Sequence, residues 1–128
     1  MVAWNEYKKA AKERGSLALE LFVVTSTPAK TPEDVKGALG DHLGYQAEQE
    51  RAGRLAFAGP MSDLSGENME GVGLIVYRAK TLEEARGIAE QDPMHLCGAR
   101  EFTIRRWLVN EGSLSLSVGL STGRVDFK

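Results

Sequence analysis

The segment VGLIVYRAKTLEEARGIAEQDP, residues 72–93, carries the signals of a strand followed directly by a helix. Its first part is rich in apolar and β-branched residues, which favours a buried strand. Thr81 and the two glutamates behind it form a typical helix start, because the threonine side chain caps backbone N–H groups and acids suit the first turn. The helix should end near Gln91, since the residue before Pro93 avoids the helical region.

A similar strand and helix precede this segment. LALELFVVTST, residues 17–27, is an apolar strand, and the TPED motif at Thr31 opens a helix that should stop at Gly53. RLAFAG, residues 54–59, and REFTIRRWLV, residues 100–109, supply two further strands. The order strand, helix, strand, strand, helix, strand predicts a ferredoxin-like α+β fold, in which two helices cover one face of a four-stranded antiparallel sheet.

Both ends of the chain extend this core. Residues 4–14 have the spacing of a short helix, and SLSLSVGLS, residues 113–121, alternates serine with leucine or valine. That alternation predicts a strand with one apolar face, which either joins the edge of the sheet or crosses to another subunit. We expect a single domain over residues 1–128, with its core at about 17–112.

The composition excludes several classes of protein. The charged fraction of 27% and the hydrophobic fraction of 42% are those of a soluble globular protein. A formal net charge of −2 gives no broad attraction to nucleic acid or anionic lipid, and no run of about 20 apolar residues predicts a membrane span. The start of the chain lacks a secretory signal, and the single cysteine fits a reducing compartment, so a cytoplasmic protein is expected.

Two polar residues accompany the apolar row of the first core helix. At helical spacing that row is Val35, Leu39, Leu43 and Ala47. His42 falls beside it, and Gln46 lies four residues further along on the same side. Two polar groups on a buried row need partners or a pocket. His42 alone is explained equally well as a core histidine bonded to a backbone carbonyl.

Four segments occur in the order expected for one known domain family. They are a helix that carries DHL at 41–43, ERAGRLAFAGPMSD at 50–63, LIVYRAKTLEEARGIAEQDP at 74–93, and RRWLVNEG at 105–112. Together they resemble the YciI-like (YCII-related) domain family over most of the chain. The resemblance implies a dimeric ferredoxin-like α/β barrel. It also implies an active-site pair formed by the histidine of the first core helix and the aspartate of the DP turn, His42 and Asp92 here. Members are regarded as small-molecule enzymes, some of which act on ring compounds.

The expected topology is compatible with that pair. The two core helices run antiparallel, so the end of the second lies near the first half of the first, within reach of His42. A carboxylate that accepts the Nδ1 proton would fix the imidazole tautomer and leave Nε2 free for proton transfer. Asp92 also has a purely structural explanation as a helix stop and the N-cap of the next turn. The two roles are compatible, because a carboxylate has two oxygens.

Further residues are assigned to substrate binding. They are Ser62, Gln46, His95 and an inward-facing member of the pair Arg105 and Arg106. No GxSxG elbow surrounds Ser62, so it is expected to bind substrate rather than act as a nucleophile. The two arginines alternate along the last strand, and an edge-strand charge that limits aggregation explains them equally well. No CxxC or HExxH spacing occurs, so neither a metal nor another cofactor is expected.

These features predict a cytoplasmic homodimer, or a higher homo-oligomer, because two helices cannot cover the second apolar face of the sheet. It would perform cofactor-free acid–base chemistry of the isomerase, lyase or elimination type on a small, possibly ring-containing, organic molecule. His42 would be the general acid/base and Asp92 would orient it. Two alternatives remain open: a non-catalytic ligand-binding or regulatory module that uses the same cleft, and an oligomerisation adaptor with no cleft.

Overall fold

The helices and strands follow the local signals of the sequence. The computed structural model describes residues 1–128. Along the chain its elements are α1 (Trp4–Glu13), β1 (Leu19–Pro28), α2 (Pro32–Arg51), β2 (Leu55–Pro60), β3 (Gly73–Tyr77), α3 (Leu82–Glu90), α4 (Pro93–Leu96), β4 (Arg100–Val109), β5 (Leu116–Val118) and β6 (Val125–Phe127). They divide into two compact units, one formed by Glu20–Trp107 and the other by the two ends of the chain, Met1–Leu19 and Leu108–Lys128.

Four strands form one sheet in the order β2-β3-β1-β4. Strand β3, one of the two inner strands, pairs antiparallel with both neighbours, so that Ile75 lies beside Val24 of β1 on one side and Ala58 of β2 on the other. The sequence order of helices and strands, read with this strand order, is that of a ferredoxin-like βαββαβ fold. The predicted mixed α+β class with an antiparallel sheet is therefore confirmed.

One face of the sheet carries the core of the unit formed by Glu20–Trp107. Side chains alternate along a strand, so Val24, Ile75 and Tyr77 share this face, and Ala89 of α3 packs against them. Four partly buried side chains complete the cluster: Leu55, Ile88, Phe102 and Ile104.

Threonine caps begin the two longer helices of this unit. The Thr31 side chain accepts a hydrogen bond from the backbone N–H of Asp34 at 3.2 Å, and Thr81 accepts one from Glu84 at 3.1 Å. Such caps typically stabilise a protein by about 0.5–2 kcal/mol. Both predicted helix starts are confirmed. Among the helices, none combines the length and the apolar character needed to cross a bilayer.

The unit formed by the chain ends has its own small cluster. Ala11 of α1 is fully buried with Ala18 and Leu108, and Trp4 packs against the group. The predicted N-terminal helix is thus present and has an apolar face to bury.

The C-terminal tail differs from its prediction. Leu116–Val118 is the only part of residues 113–121 in a strand, and it pairs antiparallel with Val125–Phe127 in a separate two-stranded sheet. Of the two alternatives for the tail, the one in which it joins the edge of the four-stranded sheet is therefore wrong, and the crossing to another subunit stays a prediction. The reason is local, since a turn at Gly119–Gly123 returns the chain and supplies a partner strand.

Two tyrosines near the core differ in one hydrogen bond and provide a test of the packing. The hydroxyl of Tyr45 donates to the carbonyl of Ile88 at 2.7 Å, whereas the buried hydroxyl of Tyr77 has no partner. We expect Tyr77→Phe to leave the free energy of unfolding unchanged or to raise it, and Tyr45→Phe to lower it by about 0.5–1.5 kcal/mol. Urea denaturation measures both. Equal losses in the two variants would show that the Tyr77 hydroxyl is hydrogen-bonded in solution.

Candidate active site

The apolar row of α2 lines a cavity instead of a dense core. Leu39 and Leu43 are 44% and 55% exposed, and Gln49 is the only residue of α2 that is buried. The two leucines, together with His42 and Gln46, line a cavity of about 780 Å³. That volume suits a small organic molecule. The expectation of a buried row is thus corrected, and an imidazole and an amide on this side of the helix face open space.

The other walls of the cavity come from the sheet and the loop that joins β2 to β3. Most of the lining is apolar, including Met69, Leu74 and Ile75. Polar groups on the walls are few, and Ser26 and Arg100 are the ones contributed by β1 and β4. A mainly apolar cavity with a few convergent polar groups is the usual form of a small-molecule site.

His42 and Asp92 are in direct contact. His42 Nδ1 lies 2.7 Å from Asp92 Oδ2 and 3.0 Å from Oδ1. The carboxylate is 0% exposed, whereas the imidazole is 15% exposed at the cavity wall. A carboxylate can only accept a hydrogen bond, so Nδ1 carries the proton and Nε2 of the neutral ring is an acceptor.

The position of Asp92 results from the break between two helices. α3 ends before the Asp-Pro pair, and Asp92 is the N-cap of α4, with Oδ1 accepting the backbone N–H of Met94 at 3.0 Å. The capping role and the contact with His42 therefore coexist on one side chain. Both bonds come from donors, as a buried carboxylate requires.

Gln46 lies one helical turn after His42 and contacts the other ring nitrogen. Its Nε2 is 3.0 Å from His42 Nε2. The amide N–H donates to the neutral ring, and a rotated amide would present its oxygen to a protonated ring. Gln46 can therefore hydrogen-bond to His42 in both protonation states.

His95 is held by protein groups on both ring nitrogens. Nδ1 lies 2.7 Å from the carbonyl oxygen of Ala89, and Nε2 lies 2.9 Å from Ser26 Oγ. The carbonyl can only accept, so Nδ1 donates to it and Nε2 accepts the Ser26 hydroxyl proton. Burial lowers the pKa of His95, and the hydrogen bond to Ala89 and the charge of Asp92 oppose this effect.

Arg100 is a cavity-lining residue that the sequence did not indicate. Its Nε donates to Ser26 Oγ at 2.9 Å, and its Nη2 donates to the Ser26 carbonyl at 2.7 Å and to the carbonyl of Gly71. Burial lowers the pKa of Arg100, opposed by the charge of Asp92, but arginine remains protonated in proteins. The strand pattern held a signal, because Arg100 is in phase with Phe102 and Ile104, which face the core.

Other residues assigned to substrate binding do not line the cavity. Ser62 is exposed in the loop after β2 and donates its hydroxyl to the Asp63 carbonyl at 2.9 Å. Arg105 and Arg106 are exposed further along β4, beyond the position where Arg100 meets the cavity. His95 lies one hydrogen bond behind the wall, through Ser26. Of the predicted set, only Gln46 joins His42 at the cavity.

Glu70 is the carboxylate on the lining of the cavity itself, whereas Asp63 lies outside that lining. Asp63 organises its own turn, accepting hydrogen bonds from Ser65, Gly66 and Asn68. The bonds from Ser65 and Asn68 lower the pKa of Asp63 to about 2. Nowhere in the chain do three or more His, Cys, Asp or Glu side chains come together in a group that could hold a metal ion.

The strand order and the antiparallel pairing define a ferredoxin-like α+β domain. Within that class, residues 18–108 match the family model of the YCII-related domain. The chain belongs to the YCII-related domain family, which confirms the resemblance seen in the sequence.

The solved structures that are similar to the chain include the following two. One is 5-chloro-2-hydroxyhydroquinone dehydrochlorinase (TftG) from Burkholderia phenoliruptrix AC1100, in complex with 2,5-dihydroxybenzoquinone; identity is 18%, the TM-score is 0.49, and 68% of this chain and 92% of that chain are covered. The other is a dimeric ferredoxin-like protein from an uncultured marine organism, with 14% identity, a TM-score of 0.47, and coverage of 73% and 98%. No curated protein matches the chain.

The environment of His95 predicts how stability responds to pH. Since its folded-state pKa is lowered from 6.5, the unfolded chain binds more protons than the folded chain below that pH. We therefore expect the free energy of unfolding due to His95 to fall as the pH decreases from about 6.5. Nitrogen NMR shifts of the ring measure the titration, and urea denaturation on either side of pH 6.5 measures the stability.

His95→Gln is the control for this pH effect, because its amide does not titrate. The stability difference between the wild type and this variant should shrink as the pH falls. A ring that titrates at or above 6.5 would contradict the assignment.

Proposed function

We propose that this chain is a small-molecule enzyme that uses His42 for cofactor-free general acid–base catalysis, with Asp92 as the group that orients it. The observation that carries the proposal is the 2.7 Å contact between His42 Nδ1 and the fully buried Asp92. The contact fixes the ring so that Nε2 is the basic atom, and His42 and Gln46 both line the cavity. A histidine that only filled the core would be packed by protein on all sides and would not line a cavity.

The chemistry follows from one mobile proton. A substrate that displaces the Gln46 amide brings a C–H or O–H group to Nε2, which takes the proton. The resulting imidazolium is stabilised by the carboxylate of Asp92, and Gln46 can turn its oxygen towards the new N–H. Return of the proton to a different atom gives isomerisation, and loss of a leaving group gives elimination or a lyase reaction. General acid–base groups of this kind contribute about 100- to 10,000-fold to a rate.

Exchange of substrate protons with solvent tests the proposal even while the substrate is unidentified. Incubation in deuterium oxide with a panel of cyclic ketones, lactones and unsaturated acids, followed by mass spectrometry, detects any compound whose C–H proton the protein exchanges. We expect His42→Gln to lower the exchange rate about 100-fold or more. Asp92→Asn should act similarly, because an asparagine amide can donate to Nδ1 and so move the ring proton to Nε2.

The double variant and a matched control sharpen this experiment. His42→Gln combined with Asp92→Asn should lose little more than either change alone, because residues that act as one unit are not additive. Asp41→Asn, an exposed change beside His42, should leave exchange unaltered. Unchanged exchange in a folded His42→Gln protein would end the catalytic proposal. If ligand binding also persisted in that variant, a non-catalytic binding module would be favoured.

We also propose that the chain forms a homodimer through the second face of the sheet. The Phe57 side chain is 55% exposed. Phe57 is in register with Val76, which points away from the core face that Ile75 shares. Trp107 is out of phase with Ile104 on β4 and is 43% exposed. Large exposed apolar side chains grouped on one face typically mark an interface.

Sedimentation velocity tests the assembly. We expect a dimer at micromolar concentration and a monomer for Phe57→Glu, since a buried unpaired charge opposes association. Leu64→Glu is the control, because Leu64 is fully exposed in the loop after β2. A wild-type protein that sediments as a monomer would contradict the proposal.

A further inference from the structure

Arg100 is a half-buried cation without a counter-ion. The ion pair at the site joins His42 to Asp92 and does not include Arg100. All three hydrogen bonds of the Arg100 guanidinium go to neutral oxygens of Ser26 and Gly71. A charge withdrawn from water is costly unless it is paired. The nearest opposing influence is the charge of Asp92, which that residue shares with His42. The arginine is therefore held firmly in place while its charge stays uncompensated.

The guanidinium has one nitrogen, Nη1, left for a ligand. Of its five N–H groups, one on Nε and two on Nη2 are engaged within the chain, and the two on Nη1 have no partner. Arg100 lines the same cavity as His42 and Gln46. The neutral His95 contributes to this arrangement. Its Nε2 accepts a hydrogen bond from the Ser26 hydroxyl, so a lone pair of that oxygen points to Arg100.

The charged side chains that line the cavity carry an excess of positive charge. Lys30, Lys36 and Arg100 contribute three cations to its lining, and Glu70 contributes one carboxylate. Asp92 lies behind the wall, and its carboxylate is hydrogen-bonded to His42. The remaining lining is mainly apolar, so an anionic group on an apolar body is the ligand type that matches it.

We propose that Arg100 is the anchor for the carboxylate of the substrate, and that the substrate class is a small organic acid anion with an apolar, ring-sized body. This inference rests on the proposed function, because it supplies the substrate for the same cavity. The carboxylate accepts the Nη1 hydrogen bonds, and the apolar body lies along Leu39 and Leu43. Anchoring one end of the molecule in this way restricts which of its C–H bonds reaches His42.

The experiment uses matched acids and amides as probes. Benzoate and phenylacetate are titrated into the ¹⁵N-labelled protein, alongside benzamide and phenylacetamide, which have the same shape without the charge. We expect both acids to shift the resonances of Gln46 and Ser26 at millimolar concentration and the amides to bind at least about 10-fold more weakly, as for loss of a charge-assisted hydrogen bond. Arg100→Gln should weaken acid binding by a similar factor.

Two variants separate charge from geometry. Arg100→Lys keeps the cation but cannot make the three hydrogen bonds that hold the guanidinium against Ser26 and Gly71, so it should restore only part of the acid affinity. Arg105→Gln removes an exposed charge from the same strand and should bind the acids like the wild type. Thermal unfolding of each variant confirms that it is folded.

The outcomes distinguish this inference from the catalytic proposal. Amides that bind as tightly as acids, acids that bind Arg100→Gln as well as the wild type, or acids that do not bind at all each overturn the anchor. Proton exchange on neutral compounds could then still support His42 as an acid–base group. If acids bind in an Arg100-dependent manner and no compound exchanges protons, the anchor stands and the catalytic proposal fails.

Discussion

A carboxylate that is withdrawn completely from water must be surrounded by hydrogen-bond donors, and Asp92 is the group in this protein to which that requirement applies. Its two donors come from different elements, the imidazole of His42 on α2 and the backbone N–H of Met94 at the start of α4. Removing a hydrogen-bond partner of a buried group typically costs about 1–3 kcal/mol, and more where that group is charged. The contact therefore holds two helices together and, by the same bond, fixes which nitrogen of the ring is basic.

The two histidines of the chain show that residue type alone does not assign a role. His42 has one nitrogen on a buried carboxylate and the other on the side-chain amide of Gln46 at a cavity wall. His95 has both nitrogens on protein oxygens, and burial disfavours its charged form. The first ring faces a cavity. The second is a fixed neutral link between a helix and the serine that holds Arg100.

The parts of the fold that could be predicted are those with short-range signals. The caps at Thr31 and Thr81 and the stop at Asp92-Pro93 depend on residues within one turn, so the order of elements was predictable. The family resemblance added the pairing of His42 with Asp92, a contact across 50 residues that no local pattern contains. Local signals did not reveal the partner strand of the tail, because nothing in Val125–Phe127 marks it as a strand by itself.

The residues that line the cavity were harder to predict, because they depend on where each strand begins and ends relative to the helices. Arg105 and Arg106 were chosen for their alternation along β4, but alternation fixes only the face of a sheet and not the distance along it. Arg100, at the first position of the same strand, is the arginine that meets the cavity. The α2 row was expected to be buried because periodicity identifies an apolar side without saying whether protein or empty space faces it.

Gly71 limits how this family member can diversify. Its φ of +100° belongs to glycine, and a Cβ there would lie 2.8 Å from Cγ of Pro28, so almost any substitution is excluded twice. The carbonyl of this residue is also an acceptor for Arg100. The preceding loop residues are largely exposed and can change in length and composition, giving new lids over the cavity. Such variation must stop at residue 71, so the loop can change while the hydrogen bond between Gly71 and Arg100 is kept.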